Sequence, residues 1–298
     1  MWVAGLSHGV AAIVTEMQCN QKSFSVQIAA LRALTAIYSQ QIDQEAQDAN
    51  MVARTACMRV VLTAMSAFPE NVIVWTSACG ALSAVAQHGI DTTVTEEHLF
   101  QCLQAATKAL TLAKSQENGW NQQASYLREE AVKLLAAVCC AAPNVGCWLR
   151  QNSETMEAQL GETMEIAVSI VAKDKEQRFT EEALRNNLMA LVYVVGPEAA
   201  IVKSLRQWGA RANVVGACSD VVAETMRRQH ASICEELSRG HVRAELENAA
   251  KAHVVDIDLQ RRVQLALGFL GPALKSWGAL WADRRRWFAQ VASRQSRL

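Results

Sequence analysis

The stretch FPENVIVWTSACGALSAVAQHG, residues 68–89, constrains the fold most strongly because its pattern recurs along the chain. It opens on a proline turn and continues with apolar and small residues at helical spacing. With Leu82 as position zero, apolar residues fall at −8 (Val74), −4 (Ala78), −1 (Ala81) and +3 (Val85), one face of an α-helix. The same template fits around Leu34 (Val26, Ala30, Ala33, Ile37), Leu135 (Leu127, Ala131, Leu134, Val138) and Leu267 (Leu259, Val263, Ala266, Leu270). Around Leu191 it gives Ala183, Asn187, Ala190 and Val194, a weaker match because Asn187 is polar. The zero positions advance by 48, 53, 56 and 76 residues, starting near the roughly 20–50-residue periods of stacked arrays. The last step is long enough to hold another helix pair, including VVAETMRRQHASICEEL.

Each template helix follows another apolar helical run. ACMRVVLTAMSAF precedes the second. TEEHLFQCLQAATKALTLAK precedes the third, with Thr93 and Glu96 at capping-box spacing. GETMEIAVSIVAK, residues 161–173, precedes the fourth. Polar connectors lie at 114–125 and 172–180, and Pro143, Pro197 and Pro272 stand shortly after template helices, where a helix cannot continue. A single helix pair cannot bury its apolar face, whereas stacked pairs bury a continuous core. Gly80 sits inside one of these helices at a cost of roughly 1 kcal/mol against alanine, so close approach by a neighbouring helix is expected there.

The segment VLTAMSAFPENVIVWTSACGALSAVAQHG resembles an armadillo repeat, with its penultimate helix, short proline-containing turn and final helix. SVQIAALRALTAIY is similar to another final helix of that kind. The resemblance is strongest over roughly residues 20–90 and fades toward the C-terminus. It implies an all-α, armadillo/HEAT-like α-solenoid of about five or six stacked helix pairs, one continuous domain over 1–298. Residues 273–298 would be a basic, Trp-rich C-terminal helix acting as cap or docking element. Armadillo adaptors of nuclear import grip basic peptides with a Trp two residues before the template Leu and an Asn two after it. Here the earlier positions hold Arg32, Gly80, Lys133, Met189 and Leu265, and the later ones Ala36, Ala84, Ala137, Tyr193 and Phe269. The ladder is absent, which argues against an import role.

Composition limits the chemistry. Charged residues make up 19% of the chain, below the roughly 25% usual for soluble domains. Net charge is zero but split, −7 over residues 1–200 and +7 over 201–298. The nine cysteines include no Cys-x-x-Cys and lie mostly in apolar helical patterns, which reads as buried reduced thiols in a reducing intracellular compartment. The cytoplasm is the expected location, cytoskeletal or ciliary assemblies included, with an organelle matrix as the other possibility. No apolar run is long enough for a membrane span. GLSHG, residues 5–9, matches Gly-x-Ser-x-Gly with Ser7 as nucleophile, but that elbow requires a strand before it and none is expected. The six histidines are isolated from one another and from the cysteines, and Cys139–Cys140 is a vicinal pair on one helix. No metal, cofactor or catalytic activity is expected.

The segment KSWGALWADRRRWFAQVASRQSRL is the most distinctive. Trp277, Leu280, Trp281, Trp287, Phe288 and Val291 share one broad helical face, interrupted by Arg284 and flanked by Arg285 and Arg286. Packing as a terminal cap is one reading. The other is a partner-binding anchor made of Trp277, Trp281, Arg284, Arg285, Arg286 and Trp287, since Trp and Arg dominate interface hot spots. The expected function is a non-catalytic protein–protein interaction scaffold within a larger assembly, its partner offering an acidic surface. The alternatives are a cargo or transport adaptor with an atypical groove and a helical-repeat RNA binder, although the neutral overall charge disfavours nucleic acid.

Overall fold

A computed structural model describes residues 2–40, 51–87, 96–116, 122–142, 153–171, 177–228, 231–238 and 241–271. The elements are α1 (Trp2–Cys19), α2 (Phe24–Ser39), α3 (Met51–Ala67), α4 (Val72–Gln87), α5 (Glu96–Ser115), α6 (Gln122–Ala141), α7 (Ser153–Val171), α8 (Gln177–Val194), α9 (Pro197–Trp208), α10 (Ala212–Arg228), α11 (Ala231–Ser238), α12 (His241–Lys251) and α13 (Ile257–Phe269). There is no strand among the described residues. The chain is all-α, as its helical periodicity requires. Thr93 of the expected capping box lies outside the described residues.

Local signals set the helix ends. Asn71 caps α4, its Oδ1 accepting from the Ile73 and Val74 amides at 3.1 and 3.2 Å. Asp256 caps α13 through the Leu259 amide at 2.9 Å. Gly196, with φ of 98°, ends α8 in the left-handed region that glycine adopts freely, and Pro197 opens α9 at once.

The contacts divide the chain into two compact units, Met1–Lys203 and Ser204–Leu298. In the first, each helix packs on its pair partner: α1 on α2, α3 on α4, α5 on α6, α7 on α8. The second members then pack in series, α2 on α4, α4 on α6 and α6 on α8, while α1, α3 and α5 form a parallel series. In the second unit α13 packs mainly on α10, with α11 and α12 against the same helix. The long interval between Leu191 and Leu267 holds α9 to α12, and VVAETMRRQHASICEEL divides between α10 and α11.

The template positions mark the core. Leu34, Leu82, Leu135, Leu191 and Leu267 are all buried. The flanking positions follow completely around Leu82, Leu135 and Leu267, and only partly around Leu34, where Val26, Ala33 and Ile37 are half-exposed. Asn187, the polar exception, is buried and donates from Nδ2 to the Ala183 carbonyl at 2.9 Å.

A second feature repeats in register with the template. The last carbonyls of any helix lack intrahelical partners. Gln27, seven residues before Leu34, donates from Nε2 to the Met17 and Asn20 carbonyls at 2.9 and 3.0 Å, closing the end of α1 from within α2. Gln260, seven before Leu267, donates in the same way to the Ala250 and His253 carbonyls at 2.8 and 3.1 Å, closing α12 from α13. Trp75, seven before Leu82, donates from Nε1 to the Phe68 carbonyl at 3.0 Å. In each case the acceptor seven residues back is the carbonyl where the preceding helix turns. Arg128 and Leu184 hold the same place before Leu135 and Leu191, and both are buried.

Gly80 is crowded as its position demands, but by a side chain. A Cβ there would stand 3.0 Å from Glu130 Oε2 of α6 and 3.8 Å from Thr35 Oγ1 of α2. In the second unit Gly216 of α10 makes room in the same manner for Arg262 of α13. The Arg262 guanidinium pairs with both carboxylate oxygens of Asp220, at 3.1 and 2.7 Å.

Two stability measurements check this arrangement. Leu82→Ala is expected to cost about 2–5 kcal/mol in denaturant unfolding, since Leu82 is fully buried. Gln27→Leu keeps the bulk but removes the side-chain donor to the Met17 carbonyl and leaves the Asn20 carbonyl with the Ser23 amide alone, at an expected cost of about 1–3 kcal/mol. A Gln27→Leu variant as stable as the parent would show that the clasp does not hold the α1–α2 turn.

Candidate interaction surfaces

Among the described cysteines, Cys57, Cys79, Cys102, Cys139, Cys218 and Cys234 are buried, whereas Cys19 is exposed. Burial pushes the Cys57 thiol up to about 11 and the Cys102 thiol up to about 12. It raises Cys79, Cys139 and Cys218 further still. A buried neutral thiol is a weak nucleophile and a poor metal ligand. Of the vicinal pair, Cys139 is buried and Cys140 half-exposed. Residues 5–9 run through the middle of the continuous helix α1, so the strand–turn–helix elbow that would present Ser7 is not formed. The ring of His253 is committed to the fold, its Nε2 donating to the Gly209 carbonyl at 3.2 Å. No group of three His, Cys, Asp or Glu side chains suited to a metal ion occurs among the described residues.

Charge is concentrated where α4, α6 and α8 meet. Glu130 projects over Gly80, with Oε2 buried and without a hydrogen-bond partner. Burial lifts its carboxyl above the ordinary glutamate range, Lys133 works against the rise and Glu182 adds to it. Burial also lifts Glu129, and Glu130 adds to that rise. Lys133 reaches Glu182 at 3.8 Å. These positions adjoin those where an armadillo adaptor carries its peptide ladder. Of the ladder positions, Gly80, Ala84, Ala137, Met189, Tyr193 and Phe269 are buried, Lys133 and Leu265 are half-exposed, and Arg32 and Ala36 are exposed.

The second unit carries the exposed apolar surface. At the junction of α12 and α13, Val254 and Val255 in the turn and Ile257 at the start of α13 are 69%, 94% and 66% exposed. Beside them a groove of about 720 Å³ runs between α12 and α13, with Val254, Val263, Leu267, Gly268 and Gly271 in its wall. Isolated exposed apolar residues are ordinary, but an apolar cluster bordering a groove marks a binding surface. Periodicity did not expose it, because Val254 and Val255 belong to a turn and Ile257 is the first residue of α13. Three β-branched residues at a helix junction were the available signal. The expected partner-binding residues Trp277, Trp281, Arg284, Arg285, Arg286 and Trp287 lie outside the described residues.

The Glu130 environment yields a pH test. A carboxyl whose folded-state pKa is raised binds its proton more tightly in the folded protein, so ionising it costs stability. The cost is absent below the ordinary value of 4.5 and is complete above the raised value. Glu130→Gln is therefore expected to raise the melting temperature near neutral pH and to lose that advantage as pH falls from the raised value toward 4.5. An advantage that stays constant across this range would mean the charge is not what costs stability. Compared with known proteins, the chain matches no family model, no curated protein and no solved structure.

Proposed function

We propose that this chain is a non-catalytic protein–protein interaction scaffold, a structural subunit of a larger intracellular assembly. On this reading its helix pairs form an armadillo/HEAT-like α-solenoid of about five or six repeats. The observation that carries the proposal is the apolar cluster Val254, Val255 and Ile257 beside the α12–α13 groove, exposed on a chain with only 19% charged residues. Uncovered apolar surface of this kind is stabilised by a protein partner. The serial packing of α2, α4, α6 and α8 supports the repeat reading, as does the recurrence of the turn clasp in register with the template. No helix is long and apolar enough to cross a membrane among the described residues.

The basic segment Lys275–Arg297 is assigned to an acidic surface of the partner. Residues 272–298 hold six Lys/Arg and one Asp, a net +5 of the +7 carried by residues 201–298. Charge complementarity of this kind fixes register and speeds encounter. Replacing Arg284, Arg285 and Arg286 with Glu is expected to reduce incorporation into the native complex about tenfold or more, with helical content unchanged by circular dichroism. Unchanged incorporation at physiological salt would refute the docking role. Retention on RNA that falls steeply with salt, with no protein co-purifying, would favour the RNA-binding alternative.

A further inference from the structure

Two turns of the second unit lie side by side. Arg206 near the end of α9 pairs with Glu245 of α12 at 2.8 Å, and a Cβ on Gly209 would stand 3.5 Å from the Ala249 Cβ. His253, in the turn before α13, donates from Nε2 to the carbonyl of Gly209, in the turn before α10, at 3.2 Å. Apolar exposure gathers along this edge. Ala210 and Ala252 are exposed and Trp208 is half-exposed, beside the exposed Val254, Val255 and Ile257. The edge is also held in place before anything docks on it. The His253 and Asp256 amides donate to the Ala250 and His253 carbonyls, Gln260 Nε2 reaches the same two carbonyls, and Asp256 caps α13. A surface fixed in advance loses little conformational freedom on binding.

The charges of the edge are antisymmetric. In the run KAHVVDID, residues 251–258, Lys251 stands three residues before Val254 and Asp258 three residues after Val255. Both are exposed. Lys251 Nζ is held by the neutral Asn248 Oδ1 at 3.2 Å rather than by a carboxylate. Asp258 touches Arg261 at 3.5 Å, and with its side chain 90% exposed it stays open to a second cation. A surface of this kind fits itself. In a two-fold contact residue i of one copy meets residue j of the other, and j meets i. With the axis between Val254 and Val255, each valine meets the other valine of the second copy, and each Lys251 meets an Asp258. The alternative orientation sets Lys251 against Lys251 and Asp258 against Asp258, so like charges disfavour it. A lipid surface suits the edge less well, because inserting Ile257 would carry the adjoining Asp258 carboxylate into the bilayer interface.

We propose that the Val254–Val255–Ile257 edge docks on the same edge of a second copy of this chain, about a two-fold axis that sets Lys251 opposite the second copy's Asp258. The inference rests on the reading of this cluster as a protein-binding surface and names its partner. The contact is small, so the dimer is weak and forms in proportion to concentration.

Sedimentation equilibrium of the purified full-length chain reports it, in low salt from about 1 μM to about 500 μM. The mean mass of the parent is expected to rise from one chain toward two. Val255→Asp, Lys251→Asp and Asp258→Lys are each expected to weaken self-association about tenfold or more. Helical content by circular dichroism should be unchanged, since all three positions are exposed. Lys251→Asp and Asp258→Lys mixed in equal amounts regain opposite charges at both ends of the contact. The mixture is therefore expected to associate about tenfold more tightly than either variant alone. A parent that stays monomeric across the range would overturn the proposal, and so would a mixture no tighter than its components. Either result would leave the scaffold reading standing, because incorporation into the native complex tests that reading separately.

Discussion

The joint between the two helices of a pair is the constraint on which the first unit depends. A helix pair buries its apolar face only if its second helix lies at a fixed angle to the first, and that angle is set where the chain turns. The turn leaves carbonyls with no helical partner and at risk of burial. Backbone amides of the turns reach the Asn20, Phe68, Ala250 and His253 carbonyls, and Gln27, Trp75 and Gln260 add a second hydrogen bond to them from the first part of the following helix. Each donor stands seven residues before a buried template leucine, so one helix face both closes the joint and enters the core. Substituting the donor therefore disturbs two things at once, the satisfaction of the turn and the direction from which the leucine approaches its neighbours.

With the joints fixed, packing in series follows. α4 lies between α2 and α6, and its flanking template positions are buried without exception. α2, nearer the start of the series, leaves Val26, Ala33 and Ile37 half-exposed. This gradient is what stacked units produce, because an inner helix has a neighbour on each side and an outer one does not. The exposed ion pairs between elements, such as Lys114 with Glu162 and Arg206 with Glu245, add little by comparison.

The helical elements were legible in the sequence because periodicity is a local signal. The five template leucines identified buried positions in both units. What periodicity did not show has a common cause. The clasp joins a side chain to a backbone carbonyl, and carbonyls leave no trace in the residue string. Gln27, Trp75 and Gln260 share a register but not a residue type, so only the shared N–H donor links them. The apolar junction at Val254, Val255 and Ile257 was missed for the opposite reason, since a pattern search passes over connectors. Gly80 was read correctly as a site of close approach, but the approaching group, Glu130, lies fifty residues away on α6. The Trp and Arg residues singled out near the C-terminus lie outside the described residues, and their role rests on proposal.

Gly80 and Gly216 show why crowding alone does not settle the energetics of a helical glycine. Both give space to a charged side chain from a neighbouring second helix, Glu130 over one and Arg262 over the other. The consequences differ because the charges are satisfied differently. Arg262 meets Asp220 through two parallel hydrogen bonds, a geometry that suits a planar guanidinium and a carboxylate and retains much of its strength when partly buried. Glu130 has one buried oxygen with no donor, and the nearby Lys133 also serves Glu182. Desolvation then outweighs attraction, as the upward displacement of the Glu130 carboxyl records. The glycine at position 216 thus makes room for a bond that ties α10 to α13. The glycine at position 80 makes room for a charge that the α4–α6 contact tolerates only because the surrounding apolar packing is extensive.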